Sequence, residues 1–145
     1  MRIAIQVVGR LKETYWREAE AEYLKRLQRY ASLQVREARD DNGLVAQIPQ
    51  DCRDCRLVVL DQRGELWSSE DLAHRLLAEE EQRGGGRTLV FVIGGRDGVP
   101  AAVRAKAHPL LAFGRITLAH RLARIVLLEQ IYRAFTILRH EPYHS

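Results

Sequence analysis

The chain predicts an α/β domain with a mostly parallel sheet and helices on both faces, and three observations carry that expectation. Short apolar runs alternate with longer stretches of helical period from one end to the other. Two of those runs, Leu57-Val58-Val59-Leu60 and Leu89-Val90-Phe91-Val92-Ile93, are unbroken, as strands covered on both faces must be. The length of 145 residues is that of one domain, 1–145, and a 46% hydrophobic fraction can bury one core without disulfides.

The elements follow in order. Arg2 to Val8 reads as the first strand. A helix is expected from about Thr14 to Tyr30, because Trp16, Ala19, Tyr23, Leu27 and Tyr30 recur at three- and four-residue steps with charged residues between them. Leu33 to Ala38 is a second strand, and a short helix around Leu44 to Ile48 precedes the third, Arg56 to Leu60. Asp61, Arg63 and Gly64 make a turn after it. Ser68 or Ser69 can cap the next helix, which Gly84-Gly85-Gly86 stops. Thr88 to Ile93 is strand four, and Gly94-Gly95-Arg96-Asp97-Gly98 leads into a helix from Pro100 to about Ala107. A fifth strand, Arg115 to Leu118, precedes a last helix from about His120 to Leu138. That helix is apolar almost all the way round, so it is deeply buried or shared with a partner; in a domain this small, a homodimer with the helix in the interface is expected.

Composition excludes more than it selects. A net charge of +4 suits an anionic partner but is common among proteins without one. No run is long enough to span a bilayer, and Met1 to Gly9 enters a strand pattern directly, so a cytoplasmic protein without membrane association is expected. Cys52 and Cys55 form a Cys-x-x-Cys that lacks a second ligand pair for a metal and precedes a strand instead of opening a helix. No metal is expected. The dinucleotide fingerprint and the phosphate loop are absent, since Gly94-Gly95-x-x-Gly98 has the wrong spacing and no lysine.

Ligands of an open parallel sheet bind where strands end. Three places are notable: Leu60 closes strand three, the Gly94-Gly95 pair closes strand four, and Phe113-Gly114 leads into strand five; glycines there let a ligand approach the backbone or permit angles a side chain forbids. The double glycine also has a purely structural reading as a tight turn. At the other extreme, the terminus concentrates Arg139-His140-Glu141-Pro142-Tyr143-His144 where polar disorder is the default. Histidine titrates near neutrality, and tyrosine stacks and donates a hydrogen bond. His120, Arg121, Arg124, Arg133 and Arg139 add cations suited to a phosphate-bearing substrate, although Glu129, four residues before Arg133, offers that arginine a helical partner.

Taken together, four motifs carry a resemblance. These are Ile93-Gly94-Gly95-Arg96-Asp97-Gly98, the run Ile116-Thr117-Leu118-Ala119-His120-Arg121-Leu122-Ala123-Arg124, Tyr132-Arg133-Ala134, and His140-Glu141-Pro142-Tyr143-His144. With Val8-Gly9, Glu22-Tyr23-Leu24-Lys25-Arg26, Leu60-Asp61 and Trp67, they make nearly the whole chain resemble the ribosomal RNA large-subunit methyltransferase H family. The resemblance implies a SPOUT-type α/β-knot, in which the C-terminal segment forms a trefoil knot. It implies a homodimer that transfers methyl from S-adenosylmethionine to N3 of a pseudouridine in large-subunit (23S) ribosomal RNA, on assembled ribosomes.

By the same resemblance the cofactor lies among Leu60, Gly94, Gly95 and the run Phe113, Gly114, Arg115, Ile116, Thr117 and Leu118. His140, Tyr143 and His144 supply the catalytic groups: Tyr143 orients the base, and one of the histidines assists removal of the N3 proton. Arg124, Arg133 and Arg139 hold RNA. Two positions depart from the family pattern: Ser145 replaces a terminal basic residue, which bears on RNA contacts, and Ala119 replaces a proline, which bears on the helix entry. The alternatives are a SPOUT methyltransferase acting on another RNA, such as transfer RNA, and a non-catalytic ribosome-binding protein. A Rossmann oxidoreductase lacks its fingerprint.

Overall fold

A computed structural model describes residues 1–51, 54–84 and 86–143, with backbone alone at 49–51. Cys52, His144 and Ser145 therefore lie outside the described residues. Five strands form one sheet in the order β2-β1-β4-β3-β5. They are β1 (Arg2–Val8), β2 (Ser32–Ala38), β3 (Cys55–Leu66), β4 (Thr88–Ile93) and β5 (Leu110–Ala112). Every neighbouring pair is parallel. The α/β expectation with a parallel sheet is met.

Alternation along the central strands sends side chains to two cores. Ile3, Ile5, Val7, Leu89, Phe91, Ile93 and Val58 join one cluster. Ala4, Leu57, Val59, Val90 and Val92 join the other. Both faces are thus apolar, which is why these strands read as unbroken runs. The first face is covered by α1 (Thr14–Leu27), α3 (residues 69–82) and α5 (His120–Leu138), the second by α2 (Asp41–Asp51) and the short α4 (Ala101–Arg104).

Helix α3 begins with a reciprocal cap, Asp71 N–H donating to Ser68 Oγ and Ser68 N–H to the Asp71 carboxylate, each at 3.0 Å. Its middle, Leu72–Leu77, is a π-helix with Leu72, Ala73, Leu76 and Leu77 all buried. Helix α5 buries Leu127, Leu128, Ile131, Ala134 and Phe135 and runs between α1 and α3. Ile125, Val126, Tyr132, Ile137 and Leu138 stay half-buried, so the monomer covers only part of its apolar circumference.

Several boundaries differ from the sequence reading. The fifth strand is Leu110–Ala112, and residues 115–118 form no ladder. The alternation of Ile116 and Leu118 imitates a strand, but Arg115, Ile116 and Thr117 are exposed and have no neighbour to pair with. Helix α1 stops at Leu27, and Tyr30 follows in a turn whose N–H donates to Leu27 O at 2.9 Å. Helix α4 ends at Arg104, short of Ala107, whereas α2 is longer than the expected Leu44 to Ile48. Strand β3 runs on past Leu60 to Leu66, through an irregularity that shapes the site.

Candidate active site

The carboxyl ends of three central strands are level: Val7 of β1 and Leu60 of β3 both pair with Ile93 of β4. Beyond that line opens a cleft of about 540 Å³, within the ~300–1,000 Å³ usual for small-molecule sites. Its apolar wall is Leu60, Ile93, Leu111, Phe113 and Ile116. Of the nine residues expected at a cofactor, eight line it: Leu60, Gly94, Gly95, Phe113, Gly114, Ile116, Thr117 and Leu118. Arg115 stands behind, its guanidinium donating to the carbonyl oxygens of Gln62 and Gly64 and tying the 113–118 loop to β3. Thr117 Oγ1 adds a second tie, donating to Gln62 Oε1 at 2.7 Å.

One wall reads in the sequence only as a turn after the third strand. Leu60 and Glu65 both pair with Leu111, so Asp61 to Gly64 bulges out of β3 over the cleft. Gly64 makes the return possible, because a Cβ there would sit 2.6 Å from the Leu110 carbonyl oxygen. Arg63 closes the bulge by donating to both Asp61 oxygens at 2.9 Å, and its backbone N–H donates to Oδ1 at 2.8 Å. These bonds to Arg63 hold the Asp61 carboxyl below its ordinary range, so a charged carboxylate lines the cleft. The signal that could have revealed it is Asp-x-Arg-Gly directly after a buried strand.

The two central glycines differ. A Cβ on Gly94 would lie 2.3 Å from the Gly98 carbonyl carbon, so the tight turn itself requires that glycine. The turn is closed by Gly98 N–H donating to Gly95 O at 3.0 Å, with Gly98 at φ +84°. Gly95 lines the cleft, and a Cβ there would press on Val8 Cγ1 at 3.1 Å, so this position has little room for a side chain. His120 and Ala123, from the first turn of α5, complete the lining. His120 reads in the sequence among the cations suited to a phosphate-bearing substrate, whereas Ala123 carries no assignment there.

The tail stands elsewhere. Helix α5 has 19 residues, and at 1.5 Å per residue it separates its two ends by about 28 Å. At the far end the chain turns through a Schellman motif: Glu141 N–H donates to Thr136 O at 2.9 Å and His140 N–H to Ile137 O at 3.2 Å. His140 is the left-handed residue of that motif, at φ +53°, with its side chain exposed. Tyr143 packs on Tyr132 with centroids 5.0 Å apart, and the Arg133 guanidinium lies 4.3 Å from the Tyr143 ring. Burial, then the neighbouring Tyr23 hydroxyl, pushes the Tyr143 phenol up to about 12.

The three arginines expected to hold RNA are engaged within the protein. Arg124 is buried and donates to Glu20 and, at 2.8 Å, to Glu37. Its position on the inner side of α5 makes it a bolt between α1, β2 and α5, not a surface cation. Arg133 donates to Glu129 at 3.2 Å as well as covering Tyr143, and Arg139 pairs with Glu81 of α3. Among the described residues there is no cluster of three or more His, Cys, Asp or Glu side chains fit to hold a metal ion, and no helix is long and apolar enough to cross a membrane.

A parallel sheet, a glycine-lined cleft at its carboxyl edge and a C-terminal helix opening onto that cleft place the chain in a class, and sequence comparison gives the same class. Residues 1–144 match the model of the predicted SPOUT methyltransferases, and the chain belongs to that family. Three similar curated relatives carry the name ribosomal RNA large subunit methyltransferase H. The protein from Anaeromyxobacter is 43% identical over 100% of both chains, that from Geotalea daltonii is 40% identical over 99% of both, and that from Bacillus pumilus is 38% identical over 100% of both. In fold, the chain superposes with a TM-score of 0.62 on a probable methylase family protein from Haemophilus influenzae, across 99% of this chain and 70% of that one at 14% identity.

Proposed function

We propose that the chain transfers a methyl group from S-adenosylmethionine to N3 of a pseudouridine in large-subunit ribosomal RNA on assembled ribosomes. It acts as a cytoplasmic homodimer in which the tail of one subunit completes the cleft of the other. The name shared by full-length relatives supports the substrate. The observation that carries the arrangement is the separation of cleft and tail by the length of α5, about 28 Å, which prevents one subunit from bringing both to one base. The uncovered apolar side chains of α5 supply a surface for the second copy. The knotted passage of the C-terminal segment belongs to the same reading.

The cleft fits the cofactor by its chemistry. Leu60, Ile93, Leu111 and Phe113 offer apolar surface to an adenine ring, and the Gly94–Gly95 backbone allows close approach. When bound, the cofactor supplies an electrophilic methyl on a sulfonium. The protein's tasks are then to hold the base in line and to take the N3 proton. Tyr143, with its phenol held protonated, orients and does not act as the base. His144 is assigned the proton, and His140 is reassigned to the helix terminus, where its backbone does the work.

The test is transfer of labelled methyl to assembled ribosomes, isolated large subunits and total transfer RNA, with mapping of the labelled nucleotide. Label on one pseudouridine of large-subunit RNA, from assembled ribosomes, is the expected result. Label on transfer RNA overturns the substrate, and cofactor binding without transfer to any RNA overturns the enzyme.

A further inference from the structure

The most heavily tethered surface outside the cleft is the root of the tail. Glu141 has its backbone fixed by the bond to Thr136 O, and its carboxylate is gripped from the end of α1. Tyr30 Oη donates to Glu141 Oε2 at 2.8 Å, and Arg29 approaches the same oxygen at 3.3 Å. The Tyr30 ring lies flat on Phe135, with centroids 5.0 Å apart and planes 2° from parallel, and the Arg29 guanidinium sits 5.1 Å from the Tyr30 ring. The ring has little freedom, so its hydroxyl is a donor fixed in space. Arg29 is 64% exposed, and an ion pair so open to water adds little direction.

We propose that Tyr30 is a positioning residue for methyl transfer. Through Glu141 it sets the direction in which Pro142 and Tyr143 leave α5. This rests on the reading above that the tail carries the chemistry on the RNA side. The last residues of a chain fray unless tied down. Here two ties flank Pro142, whose ring restricts the backbone between them: Glu141 to Tyr30 before it, and Tyr143 on Tyr132 and Arg133 after it. Among the described residues, Glu141 is the side chain to which the Tyr30 hydroxyl is bonded, so the hydroxyl serves the tail, while the ring serves the core. A reacting group held in place beforehand gains rate, and a misplacement of about 1 Å can cost about a hundredfold.

The experiment uses the full-length chain with assembled ribosomes and compares Tyr30→Phe, Glu141→Gln and the double variant. Tyr30→Phe keeps the stack on Phe135 and removes only the hydroxyl. The expected result is kcat lowered about tenfold with KM for ribosomes, cofactor affinity and Tm unchanged, and no further loss in the double variant. Hydrogen exchange at the Glu141 amide and carboxypeptidase release of the terminal residues should both quicken in Tyr30→Phe. Wild-type transfer with an unaltered kcat in the variant overturns the positioning role alone. A fall in kcat matched by a fall in Tm or cofactor affinity overturns it as well, in favour of a structural role. Failure of the wild-type protein to methylate any RNA overturns the proposed function and the positioning role with it, while the exchange rates still report whether the tie exists.

Discussion

The two ends of α5 are built by opposite means. At its first turn, His120 and Ala123 face a cleft whose other walls are glycine backbone, apolar side chains and a bulged strand. At its last turn, Tyr30, Phe135, Tyr132 and Tyr143 fill the space, and Arg29, Arg133 and Arg139 each meet a carboxylate. One end withholds side chains so that a ligand can enter. The other uses them to hold residues 140–143 of its own chain in place. A site made of absence is broken by adding atoms, and a site made of contacts is broken by removing them.

The strongest test damages each end in turn. Gly95→Leu should weaken cofactor binding by at least about a hundredfold while the protein stays folded, because Gly95 lines the cleft and a Cβ there already meets Val8 at 3.1 Å, which leaves no room for added bulk on that side. Deletion of residues 140–145 should abolish transfer and leave cofactor affinity, measured by calorimetry, as it was. Neither variant alone should be active, but co-expression of the two should restore activity, since mixed dimers pair an intact cleft with an intact tail. Absence of that rescue, with mixed dimers demonstrated, would place both halves of the chemistry in one subunit.

A smaller effect separates the bolt from the binding surface. Arg124→Ala strips Glu20 and Glu37 of a buried partner and should destabilise the fold by about 3 kcal/mol in urea unfolding. If Arg124 is engaged internally, the slope of RNA affinity against salt concentration will not change; a slope reduced by about one contact would return it to the RNA.

Smaller again is the effect at His140. Glycine accepts φ +53° without the penalty a side chain incurs, so His140→Gly should stabilise the protein by about 1 kcal/mol and keep full activity. A stable but inactive variant would restore the imidazole to the chemistry.

The finest contrast is spectroscopic. Of the five tyrosines, Tyr30 and Tyr143 are pushed up to about 12, both chiefly by burial. Their folded values exceed the unfolded value near 10, so their contribution to stability is complete below pH ~10 and is lost as pH rises towards 12. Absorbance at alkaline pH should show a late component that Tyr30→Phe and Tyr143→Phe each reduce. Absence of that late component would mean that the tail end is open to water.

Much of this could be read from the chain. The unbroken runs at 57–60 and 89–93 announced strands covered on both faces, and Gly94-Gly95 marked a strand end where a cleft was expected, whereas Phe113-Gly114, which reads as leading into a strand, follows one. The strand assigned to 115–118 failed because alternation is only a local pattern. Whether it becomes a strand depends on a neighbour with free backbone groups, and the available edge of β3 was taken by Leu110–Ala112. The partners of Arg124 were out of reach for a related reason: Glu20 and Glu37 lie 104 and 87 residues from it, beyond any spacing rule.

By itself, the sequence determined the periodicities, hence the α/β class, the burial of the central strands and the glycine at each tight turn, because these depend on residues within a few positions of one another. Tertiary structure alone decided that Asp61 to Gly64 bulges over the cleft, that Arg124 is a bolt, and that Tyr30 grips Glu141. Each of those joins groups from distant parts of the chain, and only the folded sheet and its helices bring their charges and hydroxyls within bonding distance.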